Sequence, residues 1–422
     1  MFSNLTIKKG GMLRHSPICF MKRKRKIFNL ILNCALICLL IAGCGKDRIA
    51  EDSESKEQEK VTTNESQLVE ESFEQDEEDI EVEKADEIIE SAETVSLLDR
   101  LGRGINIGNS LDCFDEWNDQ AVVTETYWGN PQITEEYVRV IINSGFNTIR
   151  IPVTWSPHVH DNKIDDDFMN RVKEVVDYAY NSGANVIIDI HHDRMFAPSY
   201  GNYNFAKEYL ECIWGQVAEE FKDYDDRLIF EGINEPRFYG SADEWTEGTA
   251  EGADNVNKLM ADFVNVVRSS GGNNSTRLLL VTCYCNRSCG PALDRLILPE
   301  DSNIAISIHS YDPYEFTSSG NYREFDDELK WQFDAIIRNL KMYMEKNHVP
   351  IVITECGTYE SVGKSGRLQY LNYVLTKADE AGVPCVWWDN GTGYGYGAYG
   401  LFDRYGNKPY DQEYVDAITK EN

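Results

Sequence analysis

Leu228-Ile229-Phe230-Glu231-Gly232-Ile233-Asn234-Glu235-Pro236 is an apolar run of strand length that stops in polar residues and a proline. Runs of the same kind recur along the chain at Gly104 to Asn109, Thr148 to Val153, Asn185 to His191, Leu278 to Tyr284, Ile304 to His309, Ile351 to Glu355 and Cys385 to Trp388. With Leu228 to Asn234 they make eight predicted strands. Between most of them apolar residues return at helical spacing, over Glu135 to Ser144, Asp166 to Asn181, Phe205 to Lys222, Asn255 to Ser269, Asp327 to Asn347, Arg367 to Ala381 and Asp411 to Thr419. The connection after Tyr284 carries the weakest helical pattern. Strands that alternate with helices imply a parallel sheet, and eight of them over about 325 residues predict an α/β fold, the (β/α)8 TIM barrel.

Polar residues gather where the predicted strands end, the face that carries catalysis in such barrels. Strand two ends at Arg150, strand three at His191-His192-Asp193, strand four at Asn234-Glu235-Pro236, and strand six at His309-Ser310-Tyr311. Strand seven ends at Glu355 and strand eight at Trp387-Trp388-Asp389-Asn390. Glu235 and Glu355 lie 120 residues apart, yet would face each other across the barrel mouth. Each closes an apolar run, which argues against a solvated surface charge. Two such carboxyl groups can protonate the leaving oxygen of a sugar acetal and attack its anomeric carbon.

These residues resemble glycoside hydrolase family 5. Ile229-Phe230-Glu231-Gly232-Ile233-Asn234-Glu235-Pro236 looks like the family's acid/base signature. Gly108-Asn109-Ser110-Leu111-Asp112, Trp128-Gly129-Asn130-Pro131, Gly145-Phe146-Asn147-Thr148-Ile149-Arg150-Ile151-Pro152-Val153 and Trp387-Trp388-Asp389-Asn390-Gly391 resemble its endoglucanase-rich subfamily 4. The resemblance runs over residues 97 to 422. It implies Glu235 as general acid/base, Glu355 as nucleophile, and Asn234 on the sugar 2-hydroxyl. It further implies substrate contacts at His191, His309 and Tyr311, a stacking platform at Trp388, and a cis peptide at Trp388-Asp389. Arg150 is expected to hold Glu355 ionised while Glu235 keeps its proton near neutral pH. For retention of configuration the carboxyl groups should stand roughly 5 to 5.5 Å apart.

No cofactor is expected. His191 and His192 are not expected to share a metal, because neighbouring side chains on a strand point to opposite faces. His192 reads equally as a core histidine or a sugar contact. Trp117, Trp128, Trp155 and Trp245 fall in predicted loops, where they could stack on pyranose rings or cap the barrel.

Charge divides the chain into three parts. Residues 1 to 44 carry eight Lys or Arg and no acid. From Met21 a basic cluster and an apolar run from Ile27 to Ala42 read as an export signal, which makes Met21 the expected start. The run ends in Ile41-Ala42-Gly43-Cys44, which resembles a bacterial lipobox; residues 1–43 would be removed and Cys44 lipidated. Residues 45 to 96 hold 20 acids against five bases and one aromatic, too little apolar surface to order the backbone, so 44–96 reads as an extended acidic tether. A marginal amphipathic helix near Ile88, Ile89 and Ala92 is the alternative there. The net charge of −31 weighs against nucleic-acid binding. Seven cysteines follow Cys44, without zinc-ligand spacing; free thiols with at most one local disulfide are expected.

The expectation is therefore a monomeric, lipid-anchored, extracellular, retaining endo-β-1,4-glucanase whose partners are a β-glucan and a membrane. Xyloglucanase, lichenase or mannanase activity on the same scaffold is the alternative, as is a noncatalytic glycan-capture lipoprotein.

Overall fold

The structure, a computed structural model, describes residues 99–118 and 121–420. The signal, Cys44, the acidic tether and the helix weighed near Ile88 lie outside the described residues.

Eight parallel strands close into a barrel in which each pairs with its neighbours in chain order and the last with the first. They are β1 (Gly104–Asn106), β2 (Thr148–Ile151), β3 (Asn185–Asp189), β4 (Leu228–Glu231), β5 (Leu279–Arg287), β6 (Ile304–Ser310), β7 (Ile351–Cys356) and β8 (Cys385–Trp387). The helices are α1 (Glu135–Asn143), α2 (Asp166–Tyr180), α3 (Tyr203–Glu220), α4 (Ala250–Ser269), α5 (Pro291–Asp294), α6 (Tyr314–Thr317), α7 (Asp327–Asn347), α8 (Lys364–Glu380) and α9 (Gln412–Thr419). The segment with the weakest helical pattern forms only the single turn α5. Two short hairpins, Val159–His160 with Lys163–Ile164 and Phe402–Asp403 with Lys408–Pro409, were not apparent in the apolar pattern.

Strands covered on both faces read as continuous apolar runs, and these do. Inside the barrel, Ile187, Ile229, Leu280, Ala305, Val352 and Val386 form one buried cluster, while Val186, Ile188, Phe230, Val281 and Ile353 belong to the larger cluster shared with the helices. Side chains on a strand repeat every second residue, so the positions two residues beyond the inner apolar layer share its face. Those positions hold Asp189, Glu231, Ser307 and Thr354, all buried. The barrel thus carries a polar layer directly on its apolar plug.

Five strands, β1 to β4 and β8, end earlier than the apolar runs suggest, while β5, β6 and β7 run one to three residues further. β1 stops at Asn106, β3 at Asp189 and β4 at Glu231, so His191, Asn234 and Glu235 stand on the loops just past the sheet. There the chain turns sharply: Glu235 has φ 43°, and Cys285 and Asn286 on the irregular end of β5 have φ 55° and 47°. A non-glycine residue held in this region costs about 1–3 kcal/mol and persists where its surroundings over-determine it. Here the Glu235 N–H donates to Asn286 Oδ1 at 2.8 Å.

The seven cysteines are all free thiols, as expected, and form no disulfide among themselves. One expectation is corrected. The Trp388-Asp389 peptide is trans; among the described residues the only cis bond is Asp312-Pro313. The peptides on either side of it are tied to neighbouring strands, with the Trp388 N–H donating to Cys356 O at 2.8 Å and Asp389 O accepting from the Gly108 N–H at 2.9 Å. The Asp389 carboxylate also takes the N–H groups of Gly391, Leu401 and Phe402.

Candidate active site

The site begins below the catalytic level, at Arg150 on β2. Its guanidinium is fully buried and donates to four elements at once: Nε to Glu231 at 2.6 Å, Nη2 to Asp189 at 2.7 Å and Asn234 at 2.9 Å, and Nη1 to Asn106 at 2.9 Å and Glu355 at 2.7 Å. Burial opposes its charge, but Glu231, Asp189 and Glu355 outweigh that and raise its pKa well above the usual value. One cation is thereby divided among three buried carboxylates. Asp189, despite this partner, is pushed up to about 6 by burial.

Above this layer stand Glu235, His309 and Glu355. A carboxylate oxygen of Glu235, one of Glu355 and a ring nitrogen of His309 all lie within 4.8 Å of one another. His309 Nδ1 is 2.9 Å from Glu235 Oε1 and 3.5 Å from Glu355 Oε2. The Tyr311 hydroxyl donates to Glu355 Oε2 at 2.8 Å. His309 is therefore turned onto both carboxylates and Tyr311 onto Glu355 alone.

The protonation pattern differs from the expected one. Burial pushes the Glu355 carboxyl above its ordinary range, because Arg150 is shared and Glu235 adds a like charge. At Glu235 burial acts in the same sense, but the His309 hydrogen bond and charge, helped by Arg237, outweigh it and hold the carboxyl low. Burial also opposes a charge on His309, yet Glu355 and Glu235 raise its pKa. These shifts favour a proton on His309 over one on Glu235 across their 2.9 Å hydrogen bond. The expectation that Glu235 keeps it unaided is revised.

A pH profile checks this. Wild-type kcat/KM should fall on the basic side only above the ordinary histidine range, near 6.5. In His309→Phe a carboxyl must hold the proton alone, and the basic limb should move down by about one pH unit or more. An unmoved limb would mean that the pair does not hold it.

The cleft walls follow. His191 Nδ1 lies 2.8 Å from Asp189 Oδ2, and the His191 ring stacks parallel on the Trp388 indole at 5.7 Å. Gly108 lies so close to that indole that a Cβ would meet it at 2.5 Å, so the motif glycine leaves room for the platform. His192 is half-buried against Phe114, Trp128 and His191, on the cleft side. Burial lowers the pKa of both histidines well below the usual value. Their rings are only 4.3 Å apart, which corrects the opposite-face argument: β3 has ended at Asp189, so strand alternation no longer applies. Asp112 completes a possible ligand group with them, but both its oxygens already accept backbone N–H groups, from Asn109 and Ser110.

Of the four loop tryptophans, Trp155 is core, 1% exposed and donating Nε1–H to Asp189 O. Trp117 is 90% exposed, and Trp245 lies over the Arg237 guanidinium at 4.1 Å. Residues that strand-end reasoning passed over include Asp189, Glu231, Asn106, Asn286 and Arg237. Asp189 and Glu231 did leave a signal: each is a carboxylate inside an otherwise apolar strand, Val186-Ile187-Ile188-Asp189 and Leu228-Ile229-Phe230-Glu231.

This geometry has known counterparts. Residues 113–393 match the family model described as cellulase, glycosyl hydrolase family 5. Endoglucanase A of Ruminococcus albus is 40% identical over 338 residues, covering 77% of this chain and 92% of that one. The solved GH5-4 broad specificity endoglucanase from Clostridium acetobutylicum superposes with a TM-score of 0.73 at 34% identity, covering 78% of this chain and 99% of the other. A GH5 xyloglucan-specific endo-β-1,4-glucanase from a metagenomic library, solved with cellotriose, gives a TM-score of 0.74 at 38% identity, covering 78% and 98%. The family match takes in Arg150, Glu235 and Glu355, and the chain belongs to glycoside hydrolase family 5, the cellulase family, within its subfamily 4.

Proposed function

We propose that the chain is an endo-β-1,4-glucanase that cleaves internal glucan bonds by double displacement, with Glu355 as nucleophile and Glu235 as acid/base. One observation carries the reading: an oxygen of Glu235 and one of Glu355 lie within 4.8 Å of each other, a close approach that suits direct attack by one of the pair, as in retaining enzymes, whose carboxyl groups stand nearer than those of inverting ones. In the first step a Glu355 oxygen bonds to the anomeric carbon as the glycosidic C–O bond breaks. The proton held between His309 and Glu235 passes through Glu235 to the leaving oxygen. In the second, water attacks the same carbon and gives its proton to Glu235, and the ester bond to Glu355 breaks. Arg150 and Tyr311 hold Glu355 in place. Asn234, fixed through its Oδ1 by Arg150, keeps Nδ2 for the sugar 2-hydroxyl, and Trp388 carries the ring beside His191. Fresh product followed by NMR should appear first as the β-anomer; the α-anomer first would overturn the reading.

The substrate is a β-1,4-linked glucan backbone, plain, mixed-linkage or branched. The broad specificity and xyloglucan-specific relatives support that range. All groups named come from one chain, which fits a monomer.

The protein is exported and anchored on the outer face of a bacterial membrane through a lipid on Cys44, with 44–96 as tether. The signal-like run and the Ile41-Ala42-Gly43-Cys44 sequence support this. Cys44→Ala should release the protein from the membrane fraction or leave it unprocessed. Membrane retention with normal signal cleavage in that variant would refute the anchor.

A further inference from the structure

Two non-glycine residues beside the cleft hold left-handed backbone and are bonded to each other: Glu235, φ 43°, just past β4, and Asn286, φ 47°, at the irregular end of β5. Sheet pairing between these strands has stopped below them, at Glu231 with Leu280. Two hydrogen bonds take its place. The Cys285 N–H donates to Pro236 O at 3.0 Å, and the Glu235 N–H donates to Asn286 Oδ1 at 2.8 Å. The acid/base is thus fixed through its backbone by a side chain from another strand.

That side chain is fully buried, so it does not touch substrate. An amide carries an acceptor oxygen and a donor nitrogen of nearly the same shape, and its neighbours decide which of them faces Glu235. Here they form a one-way chain. Asn286 Nδ2 donates to Ser307 Oγ at 2.9 Å, Ser307 Oγ donates to Glu231 Oε1 at 2.5 Å, and Glu231 Oε2 accepts from Arg150 Nε at 2.6 Å. A carboxylate in an ion pair only accepts, so the Ser307 proton points to Glu231 and the Ser307 lone pairs face Asn286. Asn286 must then present Nδ2 to Ser307 and Oδ1 to Glu235. Ser307 and Glu231 are fully buried as well, and a buried bond of this kind is costly to leave unmade.

We propose that Asn286 is the positioning residue of the acid/base: it holds the Glu235 backbone in the left-handed conformation that aims the carboxyl at the glycosidic oxygen, and takes its own orientation from Arg150 through Ser307 and Glu231. The inference rests on the glucanase reading above and deepens it. Arg150 then sets both catalytic carboxyls, Glu355 by a direct hydrogen bond at 2.7 Å and Glu235 through this chain. Without Asn286 Oδ1 the turn loses the bond that opposes its strain, and Glu235 relaxes toward an ordinary φ with its carboxyl displaced. Proton delivery then fails while attack by Glu355 is spared.

The test assays the whole enzyme on unbranched mixed-linkage β-glucan, whose leaving sugar needs a proton, and on dinitrophenyl β-cellobioside, whose leaving phenolate does not. Asn286→Ala should lower kcat/KM about 100-fold on the glucan, the size of loss that a misplaced general acid brings, and within about fivefold on the aryl glycoside. The ratio of the two values does not depend on how much of the variant folds, so partial unfolding cannot imitate the effect. Asn286→Asp, which keeps an oxygen for the Glu235 N–H, should recover part of the ratio. Ser307→Ala, which leaves Asn286 in place without its guide, should shift the ratio in the same direction as Asn286→Ala. A ratio unchanged from wild type in Asn286→Ala would overturn the positioning role. A wild type that cleaves the aryl glycoside but not the glucan would instead overturn the glucanase reading itself.

Discussion

Glu355→Gly is expected to lower kcat by roughly 10⁵-fold, a loss of the size seen when a covalent nucleophile is removed, and added azide should restore turnover with an α-glycosyl azide as product. The small anion enters the space left by the carboxylate and attacks the anomeric carbon from that side, while Glu235 still delivers the proton to the leaving oxygen. The site should survive the change, because Arg150 keeps Asp189 and Glu231 as partners. In Glu235→Gly the nucleophile remains. Substrates with good leaving groups should still glycosylate Glu355, and azide then intercepts the ester from the opposite side to give the β-azide. Opposite anomers from the two variants assign the roles. A β-azide from Glu355→Gly would reverse them.

Arg150→Met should be the most damaging substitution for the fold. It leaves Asp189, Glu231 and Glu355 buried without their shared cation, and breaking a buried pair in this way costs about 3–5 kcal/mol. The deficit should depend on pH with a definite sign. Burial already pushes the Asp189 carboxyl up to about 6, above the usual carboxylate range, and without Arg150 it should rise further. A group whose pKa is raised on folding contributes stability below its unfolded pKa and loses it as pH rises through the folded value. Urea unfolding should therefore show a modest loss near pH 5 and a larger one near pH 8. A deficit that is equal at both, or larger at pH 5, would mean that the carboxylates are not what Arg150 neutralises. Activity should fall as well, since Glu355 without Arg150 holds its proton and cannot attack.

The closed barrel was legible in the chain because its strands are largely apolar on both faces, as a parallel sheet covered by helices favours. The ends of those runs pointed to Glu235, Glu355, Arg150 and Trp388, since a polar residue that closes a buried strand must meet either solvent or another polar group. Helix limits came through unevenly; α7 was expected and found at Asp327–Asn347, whereas α4 begins five residues before the expected Asn255.

What periodicity does not carry is which partner each buried charge takes. Arg150 meets Asp189, Glu231 and Glu355 from three other strands, at separations of 39, 81 and 205 residues, and only closure of the barrel brings them to one guanidinium. The division of that single charge, together with the placing of His309 between the catalytic carboxyls, decides where the proton rests. The same holds for His191 and His192: alternation applies along a strand, and tertiary structure ended the strand two residues early. The sequence by itself determined the barrel and the residues at its mouth, through local pattern and burial. Tertiary structure decided their charge states, because electrostatic energy depends on distances between residues far apart in the chain, and those exist only once the sheet has closed.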